Sequence, residues 1–467
     1  MYRQLIEDYF AKQTNDLLAD ISRLVRIPSD RQPANPGEPF GTGPAAALAE
    51  ALDIARDYGF RIKNYDNYVG TVDLGDGPAC LDILAHLDVV PGGGGWQVTQ
   101  PFEPLIQDGR IYGRGTCDDK GPAVAALYAM RAVAELGIPL KGRVRLILGT
   151  DEECGSSDID YYYRQEPEAP MTFSPDAEFP VINIEKGRLQ GEFKAGWPAV
   201  LNGARILSIH GGAKFNVVPE DAEAVIAGLL HSEISKITEI VTARTGVQFF
   251  TEAEGDYLLV KSKGKSAHAA TPDMGNNAIT GLLTLLAELP LADHPGHQVI
   301  QSLARLMPHG DWHGQAIGVA MSDDLSGPLT LSFNMIEADE TGLKGAFDCR
   351  APLCANEVNV RLVVAAHLKE NNILLADRPM VPPHHVPEDL PFIQTLLRCY
   401  ETYSGKKGQC LAIGGGTYVH SLQRGVAFGC ADLAVDNHLH GADEFAEISQ
   451  LVMSAKIFTQ VIIDLCG

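Results

Sequence analysis

ILAHLDVVP, residues 83–91, is an apolar run that stops on an imidazole and a carboxylate, His86 and Asp88. Two residues apart on an extended chain, these side chains fall on the same side. An imidazole at a strand end with a carboxylate beside it suits metal ligation, the carboxylate fixing the ring tautomer from behind, although a satisfied surface pair would read the same. Upstream, residues 3–26 and 43–58 carry apolar positions at helical spacing, each followed by a Gly- or Pro-bearing break and an extended segment. Downstream, an Ala-rich stretch predicts a helix over Lys120 to Leu136, and Arg143 to Leu148 alternates like a buried strand. This rhythm predicts an α/β fold. In open sheets of this kind the active-site loops gather at the carboxyl ends of the strands, here after Ala85, Leu148 and Phe173.

The chain has 467 residues, enough at about 150 per domain for two to three domains with cores of their own. Hydrophobic content of 45% against 21% charged residues argues for an ordered globular protein. Sixty acidic residues face 37 basic ones, and the net charge of −23 repels phosphate backbones and anionic membrane faces, which argues against nucleic acid or a membrane as partner. MYRQLIEDYFAKQTNDLL reads as an amphipathic helix rather than a signal peptide, and no run approaches the roughly 18 uninterrupted apolar residues of a membrane span, so a cytoplasmic protein is expected. The nine cysteines are odd in number and lack CxxC spacing, which disfavours a disulfide framework and a thiolate zinc site.

Between 186 and 384 the texture changes to strand–turn patterns such as ARILSIHGGAKFNVVP and EGDYLLVKSKGKSAHAATP, with one strong helix at Asn277 to Leu289. This stretch reads as an inserted α+β domain large enough for two similar halves. Helical pattern returns at Pro391 to Tyr403 and at Glu444 to Cys466. His384 and His385, set among prolines, read as an interdomain hinge, and Gly92 to Gly95 as a flexible turn leading to Trp96.

Four more stretches carry chemistry. DGRIYGRGTCDDKGP (108–122) places Asp118 and Asp119 before a helix, where simple helix capping would also account for them. ILGTDEECGS (147–156) ends a strand on Asp151, Glu152 and Glu153, three carboxylates that repel one another unless cations or water intervene. SPDAEFP (174–180) sets Asp176 after a short strand, and DNHLHGADE (436–444) supplies His438, His440, Asp443 and Glu444. Two histidines and three carboxylates make an inventory of N and O donors without thiolate, as a two-metal hydrolase needs.

HLDVVP, YGRGTCDDKGP, TDEECGS, SPDAEFP and HLHGADE, in this order over nearly the whole chain, resemble the aminoacylase/carboxypeptidase G superfamily of co-catalytic zinc metallopeptidases. SPDAEFP, GGAKFNVVP and the long insert resemble most the bacterial dipeptidase V type, with carnosinases as relatives. The resemblance implies a zinc-peptidase-like catalytic domain, a mixed sheet flanked by helices over 1–185 and 385–467, with an inserted lid over 186–384. It implies that Asp118 bridges two divalent metal ions, that His86 and Asp176 complete one site and Glu153 and His440 the other, that Glu152 is the general base, and that Asp88 orients His86. Zinc is the expected metal, with manganese or cobalt as substitutes, and the Asp118–Asp119 peptide bond is expected to be cis.

From the lid, the resemblance implies that His268 in GKSAHAATP donates to the scissile carbonyl oxygen, and that Asn216 and Arg350 bind the substrate, the arginine through its carboxylate. The GGGTY stretch contributes Gly415, Gly416 and Thr417 to the same carboxylate; relatives commonly continue with Ala-Arg or Ala-Lys, where this chain has Val419 and His420. Cys117 and Cys154 flank ligand candidates without a visible resolving partner. The expected activity is hydrolysis of unblocked dipeptides by a monomer. The competing expectations are an N-acyl amino acid deacylase or desuccinylase on the same fold, and an inactive binding scaffold, which the complete ligand set disfavours.

Overall fold

The computed structural model describes residues 2–200 and 202–467. They fall into two compact units, one running to Ile184 and resuming over His385–Leu411 and Gly416–Gly467, the other comprising Glu185–His384 and Ala412–Gly415.

In the first unit the central sheet runs, neighbour to neighbour, Arg61–Tyr65, Val69–Leu74, Arg143–Gly149, Ala79–His86, Met171–Ser174 and Gly425–Ala427. The strand Ala79–His86 pairs in parallel with both Arg143–Gly149 and Met171–Ser174, so these three carboxyl ends share one edge, with His86 in register with Gly149. Leu81 through His86 are all buried, the pattern of a strand covered on both faces. The polar exception inside it, Asp82, takes two hydrogen bonds from Arg145 on the adjacent strand, at 2.7 and 2.6 Å.

Helices Arg3–Val25, Thr42–Asp57, Lys120–Glu135, Pro391–Ser404 and Ile448–Cys466 build the surrounding core, each contributing an apolar stripe to one cluster. Ile448–Cys466 is long and apolar enough by length and composition to cross a membrane, but Leu451, Ala455, Phe458, Val461 and Ile462 belong to this core. The helix starts four residues later than its apolar spacing predicts. Phe445–Glu447 instead pairs antiparallel with Arg110–Tyr112, a partner more than 300 residues away that local periodicity cannot reveal.

The second unit is an eight-stranded antiparallel sheet in the order Gln248–Glu254, Tyr257–Lys263, Asp221–Ala227, Arg205–Gly211, Thr330–Ala338, Gly342–Ala351, Gly187–Gly196, Leu374–Leu375. Each half contains a hairpin, then a helix, then an edge strand: 205–227, His231–Thr245 and Gln248–Glu254 in one; 330–351, Arg361–Glu370 and Leu374–Leu375 in the other. Helix Ala278–Glu288 packs into a separate apolar core, its first turn capped by Asn277, whose side chain accepts from the Thr280 amide.

Candidate metal centre

The shared sheet edge of the first unit delivers the side chains. His86 ends one strand; Glu152 and Glu153 open the short 3₁₀ turn after the neighbouring strand; Asp176 follows Met171–Ser174 by two residues. Asp118 sits two residues before helix Lys120–Glu135, and His440 lies in a loop where it adopts a left-handed backbone conformation, φ 60°.

Two clusters form around Asp118. His86 Nε2 lies 2.9 Å from Asp118 Oδ1 and 3.5 Å from Asp176 Oδ2. His440 Nε2 lies 2.9 Å from Asp118 Oδ2 and 3.3 Å from Glu153 Oε1. Within each cluster the candidate ligand atoms all lie within 4.8 Å of one another. Asp118 therefore turns one oxygen toward each histidine. His86 Nε2 and Asp118 Oδ1 are buried and have no hydrogen-bond partner of acceptable geometry. A cation between these two buried atoms would satisfy both, and the all-N,O donor set fits a borderline or hard divalent ion.

The surrounding hydrogen bonds hold this geometry. The His86 amide donates to Asp119 Oδ2 at 2.9 Å, so Asp119 braces the strand end; helix Lys120–Glu135 takes no side-chain cap from it. Helix capping is thus not what this aspartate pair does. The Asp118–Asp119 peptide bond is cis. His86 Nδ1 lies 3.0 Å from the Asp88 backbone carbonyl and 3.5 Å from its carboxylate, which leaves Nε2 as the outward lone pair. The Asp88 carboxylate instead accepts from the amides of Glu152 and Glu153, each at 3.1 Å. Asp88 thus meets the imidazole chiefly through its main chain and spends its carboxylate on the acidic turn.

Glu444 is a functional neighbour that sequence reading left unassigned. Fully buried, it accepts from the amides of Gly115 (3.0 Å) and Cys117 (3.1 Å) and from the Arg114 guanidinium, and so shapes the loop that presents Asp118. Its one sequence signal is an acid beside the HLHG stretch; its partners lie 326 or more residues away. Burial pushes its carboxyl up to about 7 despite Arg114. At the start of the helix that follows, buried Lys120 gives its ammonium to the carbonyls of Leu24 (3.0 Å) and Ile27 (2.7 Å), and burial lowers it to about 7.

Without cations the centre is strongly polarised. Burial opposes ionisation of Asp118, yet its contacts with His440 and His86 hold the carboxyl well below the usual range. Burial would lower His86, but Asp118, Asp176 and Asp88 drive it well above its ordinary value; hydrogen bonds to Asp118 and Glu153 raise His440 to about 10. Glu152 belongs to neither cluster, and burial together with the charges of Asp176, Asp118 and Glu153 pushes its carboxyl up. Burial also pushes the Cys117 and Cys154 thiols up, the opposite of an activated thiolate.

In the second unit Asn216 and His268 adjoin: Val217 pairs with His268, and the Ala269 amide donates to the Asn216 carbonyl at 2.9 Å. His268 Nδ1 accepts from the Ala270 amide at 3.1 Å. Arg350 is buried, its fork closed on Asp348 (2.6 and 3.1 Å) and one Nη1 on the Gly414 carbonyl. Gly415 is the last residue of the second unit in this stretch, and Gly416 and Thr417 belong to the first.

Two clusters of candidate metal ligands thus stand at the carboxyl edge of a mixed sheet, with an α+β domain inserted in the chain, the arrangement of a metal-dependent hydrolase. Residues 83–464 match the peptidase family M20/M25/M40, to which this chain belongs. It is 35% identical over 461 residues to YtjP of Bacillus subtilis (strain 168), covering 97% of this chain and 98% of that protein. It is 34% identical over 455 residues to the Beta-Ala-Xaa dipeptidase of Lactobacillus delbrueckii subsp. lactis, 96% of each. Its fold matches human carnosine dipeptidase 1 with a TM-score of 0.62 at 15% identity, over 100% of this chain and 99% of that one. The chain is accordingly a hydrolase acting on peptide bonds, of a family that works with divalent metal ions.

Proposed function

We propose that this protein is a dipeptidase that cleaves unblocked dipeptides, with two zinc ions held by His86, Asp118 and Asp176 and by Asp118, Glu153 and His440. The observation that carries this reading is the division of Asp118, one oxygen to each histidine, beside a glutamate that belongs to neither cluster. Bound there, the cations would polarise the scissile carbonyl and acidify the attacking water. Glu152 takes the water's proton and returns it to the leaving amine, and the burial that raises its proton affinity suits both tasks.

His268 supplies the donor for the carbonyl oxygen. The Ala270 amide occupies Nδ1, so the proton sits on Nε2, and burial with the nearby Arg350 charge lowers the ring's pKa and keeps it neutral. Arg350 retains N–H groups beyond those given to Asp348 and Gly414, and with Asn216, Gly415, Gly416 and Thr417 it receives the substrate carboxylate. An anchor at that end would leave room for one residue beyond the scissile bond. The similarity to the Beta-Ala-Xaa dipeptidase over 96% of both chains supports a dipeptide as the substrate.

The test is kcat/KM for a free dipeptide, its N-acetyl form, a tripeptide and an N-acyl amino acid, with zinc and with manganese. Burying a blocked amide against a group placed for an ammonium costs roughly 1–3 kcal/mol, so the acetylated dipeptide should fall at least about tenfold. Equal or faster turnover of the N-acyl compounds would make the protein a deacylase instead.

A further inference from the structure

The strand that carries the acidic turn ends at Gly149, where a side chain has no room. A Cβ there would stand 2.1 Å from the Tyr418 hydroxyl and 2.5 Å from Asp158 Oδ2. The crowding exists because Tyr418 donates to Asp158 Oδ2 at 2.5 Å, with both residues buried and 260 positions apart in the chain. The same Oδ2 accepts from the amides of Thr150 at 2.6 Å and Asp151 at 3.0 Å, while Oδ1 accepts from the Ile159 amide at 2.7 Å.

The next two amides along the turn, those of Glu152 and Glu153, are the pair held by Asp88. Four consecutive amides therefore rest on two carboxylates, and the Tyr418 hydroxyl is the side-chain donor that fixes one of them. The Tyr418 ring also meets the His86 ring edge-on, with centroids 6.1 Å apart at 90°. One side chain thus holds the carboxylate under the turn bearing Glu152 and meets the ring at the strand end bearing His86. A phenylalanine would fill the same space; what the hydroxyl adds is a direction for Asp158.

We infer that Tyr418 and Asp158 are a positioning pair for peptide hydrolysis: the Tyr418 hydroxyl orients the Asp158 carboxylate, which holds the Thr150–Glu153 turn so that the Glu152 carboxylate stands where it can take the water's proton. The inference rests on the reading of Glu152 as general base. Removing the hydroxyl leaves the ring packing in place but lets the carboxylate, and the amides on it, rotate. A base displaced by about 1 Å loses on the order of 10²-fold in rate. Binding of substrate, which relies on other groups, is left alone.

The experiment compares wild type with Tyr418→Phe, Asp158→Asn and Asp158→Ala for kcat, KM and metal content, together with hydrogen–deuterium exchange of the amides at 150–153. Tyr418→Phe should lower kcat about 10- to 100-fold with KM within roughly threefold, retain the wild-type metal content, and exchange the turn amides at least about tenfold faster. Asp158→Asn, with its carboxamide oxygen where Oδ2 stands, keeps those three donors but turns its NH2 against the Ile159 amide, so its kcat should fall less than that of Asp158→Ala, which should behave like Tyr418→Phe or worse. Wild-type kcat and unchanged exchange in Tyr418→Phe would overturn the inference. So would a fall in kcat that tracks loss of metal, since the pair would then serve His86 rather than Glu152. If wild type hydrolyses no peptide, the proposed function fails and with it the catalytic half of the inference, while the exchange data still decide whether Tyr418 holds the turn.

Discussion

Asp118, two residues before a helix, and Glu152, in the turn after a strand, are both carboxylates, and their surroundings separate the roles proposed for them. Asp118 is pinched between two imidazoles and held ionised; Glu152 stands outside both clusters with its carboxyl pushed up. Glu152→Gln should therefore reduce turnover by at least about 10³-fold while keeping the wild-type metal content, and Asp118→Ala should lose most of the metal, both read by activity and elemental analysis. Loss of metal from Glu152→Gln would exchange the roles of Glu152 and Glu153. The histidines give a second prediction. In the metal-free chain His440 titrates near 10 and His86 lies well above its ordinary value, so both rings carry a proton at neutral pH, whereas a ligating imidazole must be neutral. Metal uptake should release at least about one proton per chain at pH 7.5, and apparent affinity should rise with pH up to the metal-free pKa. Titration calorimetry in buffers of different ionisation enthalpy measures this, and zero proton release would mean that the rings are already neutral.

At the scale of elements, the centre depends on three parallel strands ending together, and Asp82 and Arg145 sit across two of them as register partners. Both side chains are nearly fully buried, and Asp82 also accepts from the Ala169 amide at 3.0 Å. Burial raises the Asp82 carboxyl, and the guanidinium opposes that shift. Removing one partner strands the other charge, so Asp82→Ala should cost about 3–5 kcal/mol, seen as a lowered urea midpoint, while Asp82→Leu with Arg145→Met should recover most of it. An unshifted midpoint in Asp82→Ala would mean that water already reaches the pair. These strands and helices were legible in the sequence where burial is periodic: helix Lys120–Glu135 falls one residue short of its predicted span. The strand Phe445–Glu447 was not legible, because its partner Arg110–Tyr112 is distant in the chain and its three residues are too few for a period.

For the whole molecule, the chain leaves the first unit after Ile184 and again after Leu411; the second unit carries Arg350 on its eight-stranded sheet and His268, next to Asn216, on the short ladder Val217–Val218 with Ala267–His268. The proposed chemistry needs a donor from that unit. His268→Ala should lower kcat by about 10²–10³ with metal content unchanged, because one carbonyl-oxygen donor is lost and no ligand is touched. Wild-type turnover in that variant would leave His268 a surface residue of the strand Ala267–His268. The family was legible at this scale, since five short stretches in fixed order span 86–440 and the match to M20/M25/M40 covers 83–464.

By itself the sequence determined the inventory of candidate donors and the course of the longer helices, because donor chemistry and hydrophobic period are local properties of the chain. Tertiary structure decided how those residues are aimed. That Asp119 braces the His86 amide instead of capping a helix, that Asp88 spends its carboxylate on the acidic turn, that Glu444 shapes the Asp118 loop, and that Tyr418 reaches Asp158 all depend on hydrogen bonds between residues 33 to 330 positions apart. Such bonds are set by which buried polar groups are left to satisfy once the sheet and helices have packed, and no window of sequence contains both partners.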